Sequence, residues 1–205
     1  TQVVRELQAV IDLPLQIDTS DIGAMESAMR RYNGKPMINS VNGKQESMNA
    51  VFPLVKKYGG VVVGLTLDEK GIPETAGERI AISEKIYSEA QKYGIAKKNI
   101  IIDPLTLTVS TGKENAAVTL DAVRGIKKNG GKTVLGVSNI SFGLPERQNI
   151  NSVFYTLALE AGLDAAIINP KSEDMMKAYY SFCALRGFDE NFLDYIEFAA
   201  DTKKE

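Results

Sequence analysis

Residues 133–147 read TVLGVSNISFGLPER. An apolar run closes on Ser138-Asn139, turns through Gly143-Leu144-Pro145 and ends in the charged pair Glu146-Arg147. A short run that is apolar throughout fits a strand covered on both faces, and the Gly-Leu-Pro turn fits a link to a helix. The strand therefore finishes on a neutral amide, with no nucleophile, base or metal ligand beside it. What surrounds this stretch decides both the fold and the use of that amide.

The same pattern recurs on either side. LPLQID (13–18), PMINS (36–40), VVVGLTL (61–67), NIIIDP (99–104) and AAIIN (165–169) are strand-like. Between them lie helical patterns: Met25, Ala28, Met29 and Tyr32 share a face, stopped by Asn33-Gly34. A second helix runs to Lys57, with a kink expected at Pro53. Others run from about Glu74 to Tyr93, Glu114 to Lys128 and 149 to 161, then through SEDMMKAYYSFCAL and ENFLDYIEFAA to a charged tail, DTKKE. Six strand–helix units in strict alternation predict an α/β chain with a parallel sheet. An open doubly wound sheet stays in play, but the glycine-rich phosphate fingerprint of a dinucleotide binder is missing. A (β/α)8 barrel without its first two βα units fits better. Residues 1–12 already read as a helix with Val3, Val4, Leu7 and Ile11 on one face. The chain is thus expected to be one domain, 1–205, cut from a longer polypeptide.

Composition removes whole classes of chemistry. The chain has 205 residues, 44% of them hydrophobic, with a net charge of −2, which suits a soluble domain with a sizeable core. No basic stripe invites nucleic acid, and no apolar run or signal peptide points to a membrane. A single cysteine, Cys183, cannot form an internal disulfide, which favours the cytoplasm. Cys183 lies in a helical pattern and reads as a core residue. Histidine is absent, so Ser-His-Asp and Cys-His catalysis and His-ligated metals are excluded, and no metal is expected.

The strand ends carry Asp18, Asn39, Thr66, Asp103, Asn139 and Asn169, spaced 21 to 37 residues apart. In a parallel βα barrel all six lie on the C-terminal rim, where ligands bind. Each alone has an ordinary explanation: Asp18 as a helix cap, Asp103-Pro104 and Asn169-Pro170 as turn starters. Asn169 keeps that reading and Thr66 stays open. Carboxylates that accept and amides that both donate and accept suit a flat heterocycle such as a pterin, and the same composition would also suit a purine or a sugar. Adjacent N–H donors of a pterin can make two parallel bonds to one carboxylate.

LPLQIDTSD, MINSVNG, IIIDPLTLTVS, TVLGVSNISFGLPER and AAIINP together resemble the folate-binding domain of cobalamin-dependent methionine synthase. They are also similar to methyltetrahydrofolate:corrinoid/iron–sulfur protein methyltransferases. The resemblance implies a barrel of the dihydropteroate-synthase-like type that binds 5-methyltetrahydrofolate. It implies transfer of the N5 methyl group to a cobalamin or other corrinoid carried by a partner domain or protein, toward methionine synthesis. Asp18, Asn39 and Asp103 match the family's pterin-binding positions, and Asn139 matches the asparagine beside N5, so Asn139 and Asp103 are the residues expected to act in the reaction. Arg147 matches a folate-contacting arginine; a surface role near a helix start is the even alternative.

Two other readings follow. Dihydropteroate synthase shares the barrel, but its lysine on the seventh-strand motif and its basic residue near the eighth are replaced here by GVSN and IINP. A fragment without two strands would leave Leu15–Asp18 and Ala165–Asn169 as open edges, prone to association such as a homodimer, with an incomplete folate site.

Overall fold

The computed structural model of the chain describes residues 2–201. Its elements follow in the expected alternation: α1 (Gln2–Gln8), β1 (Gln16–Asp18), α2 (Ile22–Met29), β2 (Met37–Asn42), α3 (Gln45–Tyr58), β3 (Val61–Leu65), α4 (Ala76–Lys92) and β4 (Ile100–Asp103). Then come α5 (Asn115–Lys128), β5 (Val134–Gly136), α6 (Arg147–Glu160), β6 (Ala165–Ile167), α7 (Glu173–Leu185) and α8 (Leu193–Asp201). Strands β1 to β4 pair in sequence order, all parallel, and β5 pairs with β6 in the same sense. A parallel bridge from Ile102 to Thr133, with Ile102 N donating to the Lys132 carbonyl at 2.8 Å, joins the two groups. Six parallel strands in chain order, each followed by a helix, form a partial (β/α)8 barrel.

Side-chain alternation divides each strand between two environments. Ile17, Ile38, Val62, Ile100 and Ile102 face outward and pack in one core with Met25, Met29, Met48, Phe52, Ile82 and Ile86 of the covering helices. Leu135 does the same in a second core with Phe154, Tyr155 and Ala158 of α6. The opposite face carries Val63, Ile101 and Val134, with Met37, Val61, Leu65 and Ala165 packed against them. The barrel interior is therefore apolar in its lower layers.

Two sequence expectations need correction. Helix α1 ends at Gln8, and of the proposed stripe only Val4 is buried; Val3, Leu7 and Ile11 stay exposed, because nothing among the described residues packs against them. Thr1 and residues 202–205 of the tail lie outside the described residues. Pro53 lies inside α3, which runs on through it to Tyr58, with Phe52, Leu54 and Val55 buried on either side. The strand at 134 stops at Gly136, and Val137–Ser141 forms a turn of 3-10 helix, so Asn139 stands just beyond the strand rather than at its end. Cys183 is half-buried in α7. No helix among the described residues is long and apolar enough to cross a membrane.

Ile102 is fully buried and sits at the one junction between the two groups of strands. Ile102→Ala should lower the unfolding free energy by about 2–5 kcal/mol, measured by urea denaturation. A loss below about 1 kcal/mol would mean that this junction is not a packed part of the core.

Candidate functional site

Registered partners in a parallel sheet point to the same side, and this places the polar residues. Gln16 pairs with Met37 and Asp18 with Asn39; Asn39 pairs with Val63, Val63 with Ile101, and Leu65 with Asp103. Asp18, Asn39 and Asp103 therefore face inward like Met37, Val63, Leu65 and Ile101: Asp18 and Asn39 lie level with Val63 and Ile101, and Asp103 lies level with Leu65, nearer the C-terminal mouth. The apolar interior ends in a polar collar.

Asp18 is free for that role because the helix cap falls elsewhere: the side chain of Asp21 accepts from Ala24 N at 2.8 Å. Asn39 Nδ2 donates to Asp18 Oδ2 at 3.2 Å, which orients the exposed carboxylate. Both residues line a cavity of about 400 Å³ with Thr19, Ser40, Asn42 and Lys44. Asp103 and Asn139 are not among the residues lining that cavity; they stand farther round the same mouth, above β4 and β5.

Asp103 is half-buried, and Leu105 N donates to its Oδ1 at 2.8 Å. Desolvation pushes its carboxyl up to about 6, against the opposing pull of the Leu105 N–H and of the Arg79 charge. The turn reading of Asp103 thus holds: it closes a turn by accepting from Leu105 N with Oδ1. Asn139 gains its place from a missing side chain. Gly136 is the inward position of β5 nearest the mouth, two residues after Val134, and a Cβ there would lie 3.2 Å from Asn139 Nδ2. The amide occupies the space that an ordinary residue at 136 would take.

Arg147 is turned toward this loop. Its Nε donates to Ser141 Oγ at 3.0 Å and its Nη2 to the Ser138 carbonyl at 2.7 Å, and Ser141 Oγ donates to the buried Asn151 at 2.7 Å. Asn169 starts a turn, accepting from Lys171 N, as read from the sequence. Thr66 is fully buried, and its hydroxyl has no hydrogen-bond partner among the described residues. Sequence reasoning missed the latch between the two rim loops. Thr108 Oγ1 donates to the Phe142 carbonyl at 2.7 Å, Ser110 Oγ donates to the same oxygen at 2.9 Å, and Val109 N donates to the Ile140 carbonyl at 3.0 Å. The signal was the Thr/Ser-rich run itself, but its partner lies more than 30 residues away and no local pattern names it.

The profile of pterin binding enzymes matches residues 1–169 of this sequence. The chain belongs to that family. Among its relatives, methionine synthase of Mycobacterium leprae is 37% identical over 177 residues, covering 80% of this chain and 15% of that protein. The methylcorrinoid:tetrahydrofolate methyltransferase of Eubacterium limosum is 32% identical over 188 residues, covering 89% of this chain and 69% of that protein. The chain thus spans about a seventh of the length of the methionine synthases it matches. Among solved structures, the dihydropteroate synthase of Yersinia pestis superposes with a TM-score of 0.71 at 19% identity, over 91% of this chain and 77% of that one. At that identity the likeness speaks for the barrel alone. The pterin-binding family and its barrel agree with the strand order and register described above.

Because the Asp103 carboxyl is raised from 3.8 to about 6, the folded state holds its proton more tightly than the unfolded chain. Its contribution to stability is present below about pH 4 and is lost as the pH rises through about 6. Relative to Asp103→Asn, the unaltered protein should therefore lose urea resistance between those limits. A stability difference that is flat across the window would contradict the desolvated carboxyl.

Proposed function

We infer that this domain binds 5-methyltetrahydrofolate on the polar collar and passes its N5 methyl group to a cob(I)alamin held by another domain or protein, in the service of methionine synthesis. The observation that carries the reading is the Asn139 amide lodged above Gly136 on the same inner mouth as the Asp18 and Asp103 carboxylates. The collar residues fit the group. A pterin presents adjacent N–H donors to a carboxylate, and Asp103 keeps one oxygen open for them, while the Asp18–Asn39 pair offers an oriented acceptor beside an amide. Bound N–H donors stabilise the ionised form, so the ligand draws the Asp103 proton off, and affinity should fall as the solution is acidified through about pH 6.

The corrinoid supplies the nucleophile. This chain's part is to make N5 a better leaving group. N5 must gain positive character as the methyl departs, and an amide can donate a hydrogen bond to it or hold a water that does so. Asn139 does not ionise, so the proton comes ultimately from water or a neighbouring acid. Assistance of this kind is worth about 10²- to 10⁴-fold. Arg147, Ser141 and Asn151 fix the turn that carries the amide. On this reading Arg147 serves that turn first and meets folate only with what its bonds to the turn leave over.

Titration calorimetry with methyltetrahydrofolate tests the binding step: saturable binding is expected, weakened by Asp103→Asn, which puts a donor where the pterin needs an acceptor. Failure of the unaltered protein to bind, with binding of a dihydropterin diphosphate instead, would move the reading to dihydropteroate synthase. For the chemical step, Asn139→Ala should lower the rate of methyl transfer to free cob(I)alamin, measured at saturating folate, by at least about tenfold. Its effect on folate affinity should be much smaller. Gly136→Ala, which crowds the same amide, should act in the same direction. If rate and affinity fell equally, Asn139 would be a binding contact and no more.

A further inference from the structure

Arg79 breaks two rules of side-chain placement. It is fully buried, and it stands in the first turn of α4, where the helix dipole opposes a cation. It makes no ion pair of ordinary length among the described residues. Instead its guanidinium is given to backbone carbonyls of two rim loops. Nε donates to Pro73 at 3.0 Å, in the loop after β3. Nη1 donates to Pro104 at 3.0 Å and to Leu105 at 2.8 Å, in the loop after β4, and to Thr119 Oγ1 of α5 at 3.3 Å. Nη2 is buried with no hydrogen-bond partner among the described residues. Burying a charge is costly, so a protein that keeps one here gains something from it.

The target of the clamp explains what is gained. Leu105 sits at φ +67, a left-handed conformation that a leucine adopts only when its surroundings impose it. In that conformation the Leu105 carbonyl meets Arg79 while the Leu105 N–H meets Asp103 Oδ1. Thr119 Oγ1 donates to the same Leu105 carbonyl at 3.1 Å. The Pro104–Leu105 peptide unit thus links the two groups, its carbonyl accepting from the guanidinium and its N–H donating to the carboxylate on the collar.

We propose that Arg79 is a positioning residue for the pterin site: by clamping the Pro104 and Leu105 carbonyls it aims the Asp103 carboxylate into the barrel mouth, and its positive charge acts on that carboxylate from behind. The pterin role of Asp103 rests on the function inferred above; the clamp itself does not. Arg79 is the charged group acting on Asp103. The residues beside Asp103 on the adjoining strands, Leu65 and Thr66 of β3 and its loop and Val134 of β5, are uncharged, as is Thr119 of α5.

The experiment compares Arg79→Gln, Arg79→Lys and Thr119→Val with the unaltered protein, and reads both ligand-free and folate-bound states. In the ligand-free protein, carbon-detected NMR follows the Asp103 carboxyl, assigned with Asp103→Asn, and hydrogen exchange follows the Leu105 amide. Arg79→Gln should move the Asp103 titration midpoint upward by about half a pH unit or more and speed exchange of the Leu105 amide. Arg79→Lys, which keeps the charge but not the fork, should restore the midpoint and leave exchange fast. Thr119→Val, which keeps the charge and loosens the Leu105 carbonyl, should speed exchange without moving the midpoint.

With methyltetrahydrofolate, Arg79→Gln should lose about tenfold or more in affinity, with the acid limb of its pH profile displaced upward. If Arg79→Gln does not fold, Thr119→Val decides on exchange alone. Unchanged Leu105 exchange in a folded variant of either residue overturns the clamp. Altered exchange and an altered midpoint, with no folate binding by any form including the unaltered one, would uphold the clamp and overturn the folate reading.

Discussion

Hydrogen bonding between parallel neighbours locks side-chain parity, and the rest of the molecule depends on it. Once Asp18 is paired with Asn39 and Leu65 with Asp103, the isoleucines and valines between them have no choice of face. Ile17, Ile38, Val62, Ile100 and Ile102 turn to the helices, and Met37, Val63, Leu65 and Ile101 turn to the axis. A slip of one residue in any pair would exchange the two sets, exposing polar groups to the helical core and apolar ones to the mouth. The burial of the outer row is thus also what aims the collar. Stability and function are written into the same register, on alternate residues.

The collar holds its charged and neutral groups in different ways. Asp18 is exposed and kept in place by a neighbouring amide, while Asp103 is drawn partly out of water and kept in place by a backbone N–H. Desolvation makes the second carboxylate hungry for donors, which is useful only if donors arrive with the ligand. Asn139 completes the set from the other direction. It sits in a turn rather than a strand, and its position is bought by leaving Gly136 bare.

Much of this was legible in the sequence because it is local. Apolar runs that end in Asp or Asn name the strand ends, and their order names the barrel. The amphipathic faces of α2, α4 and α5 were placed within a few residues of where they lie. The failures came where a distant contact decides. Leu7 and Ile11 fit a helical stripe, but burial needs a partner surface, and the sequence pattern of one helix does not supply it. Arg79 reads as one more surface cation on a helix that also carries Lys85 and Lys92. Nothing within ten residues of it reveals that Leu105 and Thr119 will surround it.

The latch of Thr108, Val109 and Ser110 onto the carbonyls of Ile140 and Phe142 has a mechanical consequence. The two segments that carry the acidic grip and the amide donor are not independent fingers; they are cross-braced, like the two jaws of one vice. Whatever displaces the loop after β4 therefore carries the turn around Asn139 with it.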